Sequence, residues 1–158
     1  MLQLRSGDLV SVRKDDALVH FAVLTKQLLF GGHWSFVFHG SSTPELSPSD
    51  PARVNSGFNA AVDFIVPKRE GRVARVSRDN DFSALMGPEL LQQPPAKGQL
   101  NYQIWRWENG QRQHASRFRF TPSPTPDELA APFYSCMPAD WACDLAFQGW
   151  TPDLGRAL

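Results

Sequence analysis

The chain has 158 residues, 42% hydrophobic and 20% charged, so it can fold around a core and is too apolar for intrinsic disorder. Its 16 basic and 16 acidic residues exclude the strongly basic balance of most nucleic-acid-binding domains, and 13 prolines with 11 glycines favour short elements. Two cysteines exclude a disulfide scaffold, and neither a signal peptide nor a membrane span is indicated, so we expect a cytoplasmic protein.

The N-terminal region predicts an antiparallel meander. Three short segments predict strands, Leu9–Arg13, Ala17–Lys26 and Trp34–His39, and side chains alternate between two faces in the first and third. Polar residues at Lys14-Asp15-Asp16 and glycines at Gly31-Gly32 supply the turns between them. In the third segment, Trp34, Phe36 and Phe38 share one face of the predicted strand.

The middle of the chain is less regular. Residues Gly40 to Gly57 contain three prolines and five serines and predict a long loop. A strand is predicted from Ala60 to Pro67. For Lys68 to Arg78 a short helix and an irregular strand fit equally, and Phe82 to Gln93 is compatible with a short helix that ends before Pro94-Pro95.

A hairpin is predicted around Asn109-Gly110, because a type I′ turn needs positive φ at both central positions. This turn sets Trp107 opposite Arg112, Trp105 opposite His114 and Tyr102 opposite Arg117. One face then carries Trp105, Trp107, Phe118 and Phe120, and the other carries Tyr102, Ile104, Arg106, Arg117 and Arg119. If the aromatic face fills the core, the arginines face solvent.

The C-terminal region predicts short helices. Prolines at 122, 124 and 126 make residues 121–126 a Pro-rich connector to a C-terminal helical segment. Thr125-Pro126-Asp127-Glu128 has the form of a capping box, and Pro138 to Phe147 predicts a second helix. We therefore expect one mainly β domain over residues 1–158. Its architecture is a single twisted antiparallel sheet closing toward a barrel, with one or two short C-terminal helices.

The sequence indicates no catalytic chemistry. It lacks the G-x-S-x-G motif, the metal-ligand spacings C-x-x-C and H-E-x-x-H, and a Gly-rich phosphate loop. We therefore expect no catalytic residues, metal ligands or cofactor, and a binding protein is favoured over an enzyme.

The charges predict a binding surface instead. Residues 67–120 hold ten Lys/Arg and five Asp/Glu, whereas residues 121–158 hold one and five. Arginines and aromatic residues are frequent at protein interfaces and also supply the cations and rings that bind nucleic acids. The candidate binding residues are Arg72, Arg75, Tyr102, Arg106, Arg117 and Arg119. The expected partner is a protein, and a nucleic-acid-binding β-barrel module is the alternative.

Small SH3-like barrels often begin with a Gly-Asp turn into an apolar strand, and this pattern occurs in Arg5-Ser6-Gly7-Asp8-Leu9-Val10-Ser11-Val12. Together with Trp34-Ser35-Phe36-Val37-Phe38, this segment resembles the start of immunity proteins of bacterial polymorphic-toxin systems. This resemblance, which covers about a quarter of the chain, implies a cytoplasmic domain that binds and blocks a cognate toxin. The zero net charge differs from the acidic pattern of such proteins, so the resemblance transfers no binding residue and no toxin class.

Overall fold

The computed structural model describes residues 2–24, 32–46, 54–87, 90–106 and 118–155. Within these ranges β-strands predominate, so the prediction of a mainly β protein is confirmed. The strands are β1 Leu9–Lys14, β2 Ala17–Val23, β3 His33–Phe38, β4 Gly57–Asp63, β5 Val73–Ser77, β6 Leu90–Gln93, β7 Tyr102–Arg106, β8 Phe118–Thr121 and β9 Cys136–Pro138. The helices are α1 Ile65–Arg69, α2 Pro126–Leu129 and α3 Ala139–Phe147, with 3₁₀ helices at Ser83–Leu85 and Pro152–Leu154.

The chain forms two compact units. The first comprises Met1–Met86 and Cys136–Trp150, and the second comprises Gly87–Ser135 and Thr151–Leu158. The first contains a six-stranded sheet of order β5-β1-β2-β3-β4-β9, and the second contains a three-stranded sheet of order β6-β7-β8. The expected single sheet closing toward a barrel is therefore wrong for the described residues, which form two sheets without a closed barrel. The prediction of one domain with a connector at residues 121–126 stays a prediction.

The predicted meander forms the centre of the first unit. Strands β1 to β4 pair antiparallel in sequence order, and β9 joins β4 in parallel. Asp15 and Asp16 connect β1 to β2 with φ values of 50° and 67°, which suit the twist of a two-residue hairpin. The segments predicted at Gly31-Gly32 and at Gly40 to Gly57 extend into residues outside the described ranges.

The strand predicted from Ala60 to Pro67 is wrong in its second half. Strand β4 ends at Asp63, whose carboxylate accepts a 2.8 Å hydrogen bond from the backbone N–H of Ile65, the first residue of α1. Pro67 fits there because its missing N–H is not needed in the first turn of a helix. Gly71, at φ 68°, then turns the chain into β5, so the basic segment contains both a helix and a strand.

The core of the first unit lies on both faces of its sheet. On one face α3 packs against β1, β3, β4 and β9, and the ring of Phe58 meets that of Trp150 edge to face at 5.0 Å. On the other face, Asn59 donates to the Leu85 carbonyl and the indole of Trp34 donates to the Met86 carbonyl. This double cover explains why every side chain from Val19 to Val23 is buried.

The hairpin of the second unit has a different register from the predicted one. Tyr102 lies opposite Thr121 instead of Arg117, and Trp105 lies opposite Phe118 instead of His114. The shift is four residues, an even number, so the described members of the two predicted faces stay on those faces. Asn109-Gly110 lies outside the described residues, as do Trp107 and Arg117. Part of the segment predicted as a helix, Phe82 to Gln93, forms strand β6.

Candidate functional site

Part of the face of the three-stranded sheet that carries Ile104 is buried. Ile104 packs with Leu90 and Ala131, and Tyr102 lies partly buried against them. Gln92 is also buried, and its side-chain amide donates to the carbonyls of Leu129 and Ala131. These contacts attach the sheet to the last residue of α2 and to the segment that follows it.

The opposite face presents a row of aromatic rings. The indole of Trp105 stacks on Tyr134, with centroids 4.3 Å apart and planes within 10° of parallel. Phe118 lies 5.0 Å from Trp105, and Phe120 meets Phe118 edge to face at 5.5 Å. Solvent exposure increases along the row away from Trp105: Phe118 is 43% and Phe120 is 62% accessible to solvent. These phenylalanines therefore do not fill a core.

Arg119 and Glu128 form the ion pair at the edge of this sheet. Strand β8 supplies Arg119, whose Nη2 donates to both carboxylate oxygens of Glu128. Glu128 is the third residue of α2, and its carboxylate also accepts a 2.9 Å bond from the Thr125 backbone N–H. The Thr125 hydroxyl in turn accepts from the Glu128 N–H, which confirms the predicted capping box.

The Glu128 carboxylate stays ionised in this position. Burial alone would raise the pKa of Glu128, but the Thr125 N–H and the Arg119 guanidinium outweigh it and hold that pKa below its usual range. The sequence identified Glu128 as a capping residue only. Nothing in the local spacing of Arg119 and Glu128 predicts their pairing, which depends on the path of the chain through residues 121–126.

A pocket of about 300 Å³ lies beside this ion pair, entirely within the second unit. Arg106 and Arg119 contribute the cationic groups, Glu128 the carboxylate, and Leu90 and Ile104 an apolar floor, with Phe118 completing the lining. Two of the predicted binding residues, Arg106 and Arg119, therefore share one pocket. Tyr102 lies on the same face, against the cluster that forms the floor.

The predicted binding residues Arg72 and Arg75 lie in the first unit, within ion pairs. Arg72 donates to both carboxylate oxygens of Asp140 at 2.8 and 2.9 Å and to Glu70 at 3.0 Å. Arg75 donates to Asp8 at 3.1 Å. Lys14 extends the Arg72 network by pairing with Asp144 on α3. Arg72 thus joins α3 to the start of β5, while Arg75 fixes the entry into β1. Arg117, the remaining candidate, is outside the described residues.

The histidines and cysteines do not assemble into a site within the described ranges. His20 is buried in β2, and burial lowers the pKa of its imidazole. His39 contacts the Ser56 hydroxyl at 3.0 Å and the Trp150 carbonyl at 2.7 Å. Cys136 and Cys143 are free thiols, and burial raises the pKa of each.

Three further observations concern metal binding, membrane spans and similarity to known proteins. In the part of the chain that the structure describes, histidine, cysteine and acidic residues do not cluster in threes that could hold a metal ion. Among the described helices, none has both the length and the apolar character needed to cross a membrane. Comparisons with known proteins identify no relative: no protein-family model, curated protein or solved structure matches this chain.

Proposed function

We propose that this chain is a non-enzymatic protein-binding domain whose interface is the exposed part of the three-stranded sheet. The observation that carries this proposal is the exposure of Phe118, which lines the pocket with Arg106 and Arg119, and of Phe120, which continues the aromatic row from Phe118. Solvent-exposed aromatic rings lose contact with water when a partner covers them, and arginine is enriched with them at interface hot spots.

The arrangement supports binding more than catalysis. The carboxylate in the pocket, Glu128, is committed to Arg119 and to the cap of α2, so it is not placed to exchange protons with a substrate. The other side chains that line the pocket are arginine, aliphatic or aromatic, and none of these is a general base at neutral pH. These side chains are suited to binding a partner by shape and charge rather than to catalysing a reaction.

The narrower proposal is an immunity protein that binds and blocks a cognate toxin in the bacterial cytoplasm. It is supported by the resemblance of Arg5 to Val12 and of Trp34 to Phe38 to the start of such proteins. Expression of the neighbouring gene's product with and without this chain tests it. Growth should be restored by this chain, and an adjacent product that is not toxic would contradict the narrower proposal.

Capture of partners from the native lysate tests the broader proposal. The Phe120→Ser variant should lose a captured protein that the parent retains, and nuclease treatment should leave that protein bound. The matched control is Phe147→Ser, which changes an exposed phenylalanine (42% accessible) of α3 in the first unit. Equal capture by both variants, with unchanged unfolding midpoints, would contradict an interface at Phe120.

The alternative is a nucleic-acid-binding module, which the exposed rings on β8 favour because bases stack on such rings. Affinity for mixed-sequence DNA or RNA would then fall steeply with salt as counterions are released. We expect no complex tighter than about 10 μM at physiological salt, weaker than specific nucleic-acid binders. A tighter, salt-sensitive complex that Phe120→Ser abolishes would replace the protein-binding proposal.

A further inference from the structure

The pocket of the second unit carries an excess of positive charge. Arg106 and Arg119 contribute two guanidinium groups, and Glu128 contributes the one carboxylate among the lining residues. Within the described ranges Arg106 forms no ion pair, and Arg119 donates through Nη2 alone. Guanidinium N–H groups therefore remain for an acceptor that enters the pocket.

Arg119 is held in position before any ligand arrives. Its partner Glu128 is 5% exposed, and the Glu128 carboxylate also accepts a hydrogen bond from the Thr125 N–H, which opposes its rotation away from Arg119. The Arg119 side chain itself is 54% exposed, which leaves the rest of its guanidinium accessible. Such a fixed donor loses little conformational entropy on binding.

The apolar part of the pocket limits what can enter. Leu90 and Ile104 are both buried and form the floor, and Phe118 stands at one side. A ligand that joins a short methylene chain to one terminal anion would cover these carbons and place its charge between the arginines. Aspartate and glutamate side chains have this form.

We propose that the pocket binds the side-chain carboxylate of one aspartate or glutamate of the partner protein. The inference rests on the proposed function and names the chemistry of the partner residue. Planar guanidinium groups bind carboxylates through paired N–H···O bonds, which fixes the geometry as well as the charge. Phe118, which also lines the pocket, then covers the methylene groups of that acidic residue.

Charge balance favours a carboxylate over a phosphate. Two arginines and Glu128 leave one positive charge, which a monoanion neutralises. A phosphate dianion would leave the pocket negative and would face the fixed Glu128 carboxylate at close range. A phosphorylated segment or a nucleic acid backbone is therefore an alternative outcome of the test.

Titration of the isotopically labelled protein with capped amino acids, followed by NMR, tests the proposal. The probes are N-acetyl-glutamate-N-methylamide, the neutral glutamine analogue, the phosphoserine analogue and a ten-residue oligothymidylate. The glutamate probe should bind with a dissociation constant of about 1–10 mM. It should shift the Arg106 and Arg119 Nε–Hε signals and the Ile104 methyl signal, and glutamine should not. Raising the salt concentration should weaken the glutamate shifts.

Substitutions distinguish binding by the planar guanidinium group of Arg106 from nonspecific attraction by positive charge. Arg106→Gln should weaken glutamate binding at least tenfold, since a charge-assisted hydrogen bond contributes about that factor. Arg106→Lys keeps the charge but loses the planar fork, so a smaller loss is expected. Arg78→Gln, which removes an exposed arginine of the first unit, should leave the titration unchanged.

The carboxylate pocket and the protein-binding function can fail independently in these experiments. Equal shifts with glutamine, or tighter binding of phosphoserine or oligothymidylate, would overturn the carboxylate pocket. A partner whose capture depends on Phe120 but not on Arg106 would also overturn it while leaving the protein-binding function in place. Glutamate binding that Arg106→Gln abolishes would support the pocket even if lysate capture fails.

Discussion

Trp105 and Tyr134 stack almost in parallel, with their ring centroids 4.3 Å apart, and so connect strand β7 to the segment before β9. The Tyr134 backbone reinforces this connection, because its N–H donates to the Gln92 carbonyl of β6 at 2.7 Å. Both ends of the stack are therefore anchored to the three-stranded sheet.

The Trp105→Ala substitution should destabilise the protein by about 2–3 kcal/mol, because it removes a half-buried ring and its stacking contact. Trp105→Phe should cost less, since the indole N–H is buried and has no hydrogen-bond partner within the described ranges. Urea unfolding followed by circular dichroism measures both. Phe120→Ala is the control, with a change within about 0.5 kcal/mol. Equal midpoints for Trp105→Ala and Phe120→Ala would contradict the structural role of the stack.

The capping box predicts an asymmetry at Thr125. Thr125→Ala removes the hydroxyl that accepts from the Glu128 N–H, so a loss of about 1 kcal/mol in the free energy of unfolding is expected. Thr125→Ser keeps that hydroxyl and should stay close to the parent. If both variants unfold at the same urea concentration, the hydroxyl contributes nothing to stability.

Acid should weaken the first unit through Asp140. The paired hydrogen bonds from Arg72 hold the pKa of the Asp140 carboxyl below its usual range, although burial opposes this. A depressed folded pKa gives stability that is complete above the unfolded value, about 3.9, and is lost as the pH falls through the folded value. Urea midpoints between pH 6 and pH 2 should therefore fall more steeply for the parent than for Asp140→Asn. Parallel curves would show that Asp140 does not contribute to the acid sensitivity.

The two thiols should differ in reactivity. Burial raises the pKa of the Cys143 thiol to about 12, and Asp140 adds to this, so thiolate is scarce at neutral pH. Cys136 is only partly buried. A thiol reagent should modify Cys136 slowly in the folded protein and Cys143 only after denaturation, when two thiols should titrate. Rapid modification of Cys143 in the Cys136→Ser variant under native conditions would contradict its burial.

Local signals predicted much of the fold. The short apolar segments and turn residues between Leu9 and Phe38 predicted the meander, and Thr125 with Glu128 predicted the start of α2, because neighbouring residues determine strands and caps. The hairpin faces were also predicted, since alternation survives an even register shift. The division into two sheets was not, because strand order depends on contacts between distant segments such as Ala61 and Cys136.

The sequence predicted only part of the candidate site, because the pairing of its charged residues also depends on contacts between distant segments. Arg106 and Arg119 were selected by charge, but the sequence does not distinguish them from Arg72, whose guanidinium is bound by Asp140 and Glu70 and does not line the pocket. The difference is set by the carboxylate partners, Asp140 and Glu128, and Asp140 lies 68 residues from Arg72. The exposure of Phe118 and Phe120 likewise depends on which face of β8 is covered, which alternation alone leaves open.

The parallel pairing of β4 with β9 has a consequence for biosynthesis. The first unit needs residues on both sides of the 49-residue interval Gly87–Ser135, so its sheet cannot gain β9 and α3 until that interval has been translated. At about 5–20 residues per second this delay lasts several seconds, during which Phe58 and its neighbours lack the cover of α3. A nascent chain stalled before Cys136 should therefore bind chaperones that recognise apolar strands, and release should follow the emergence of Trp150 from the ribosome.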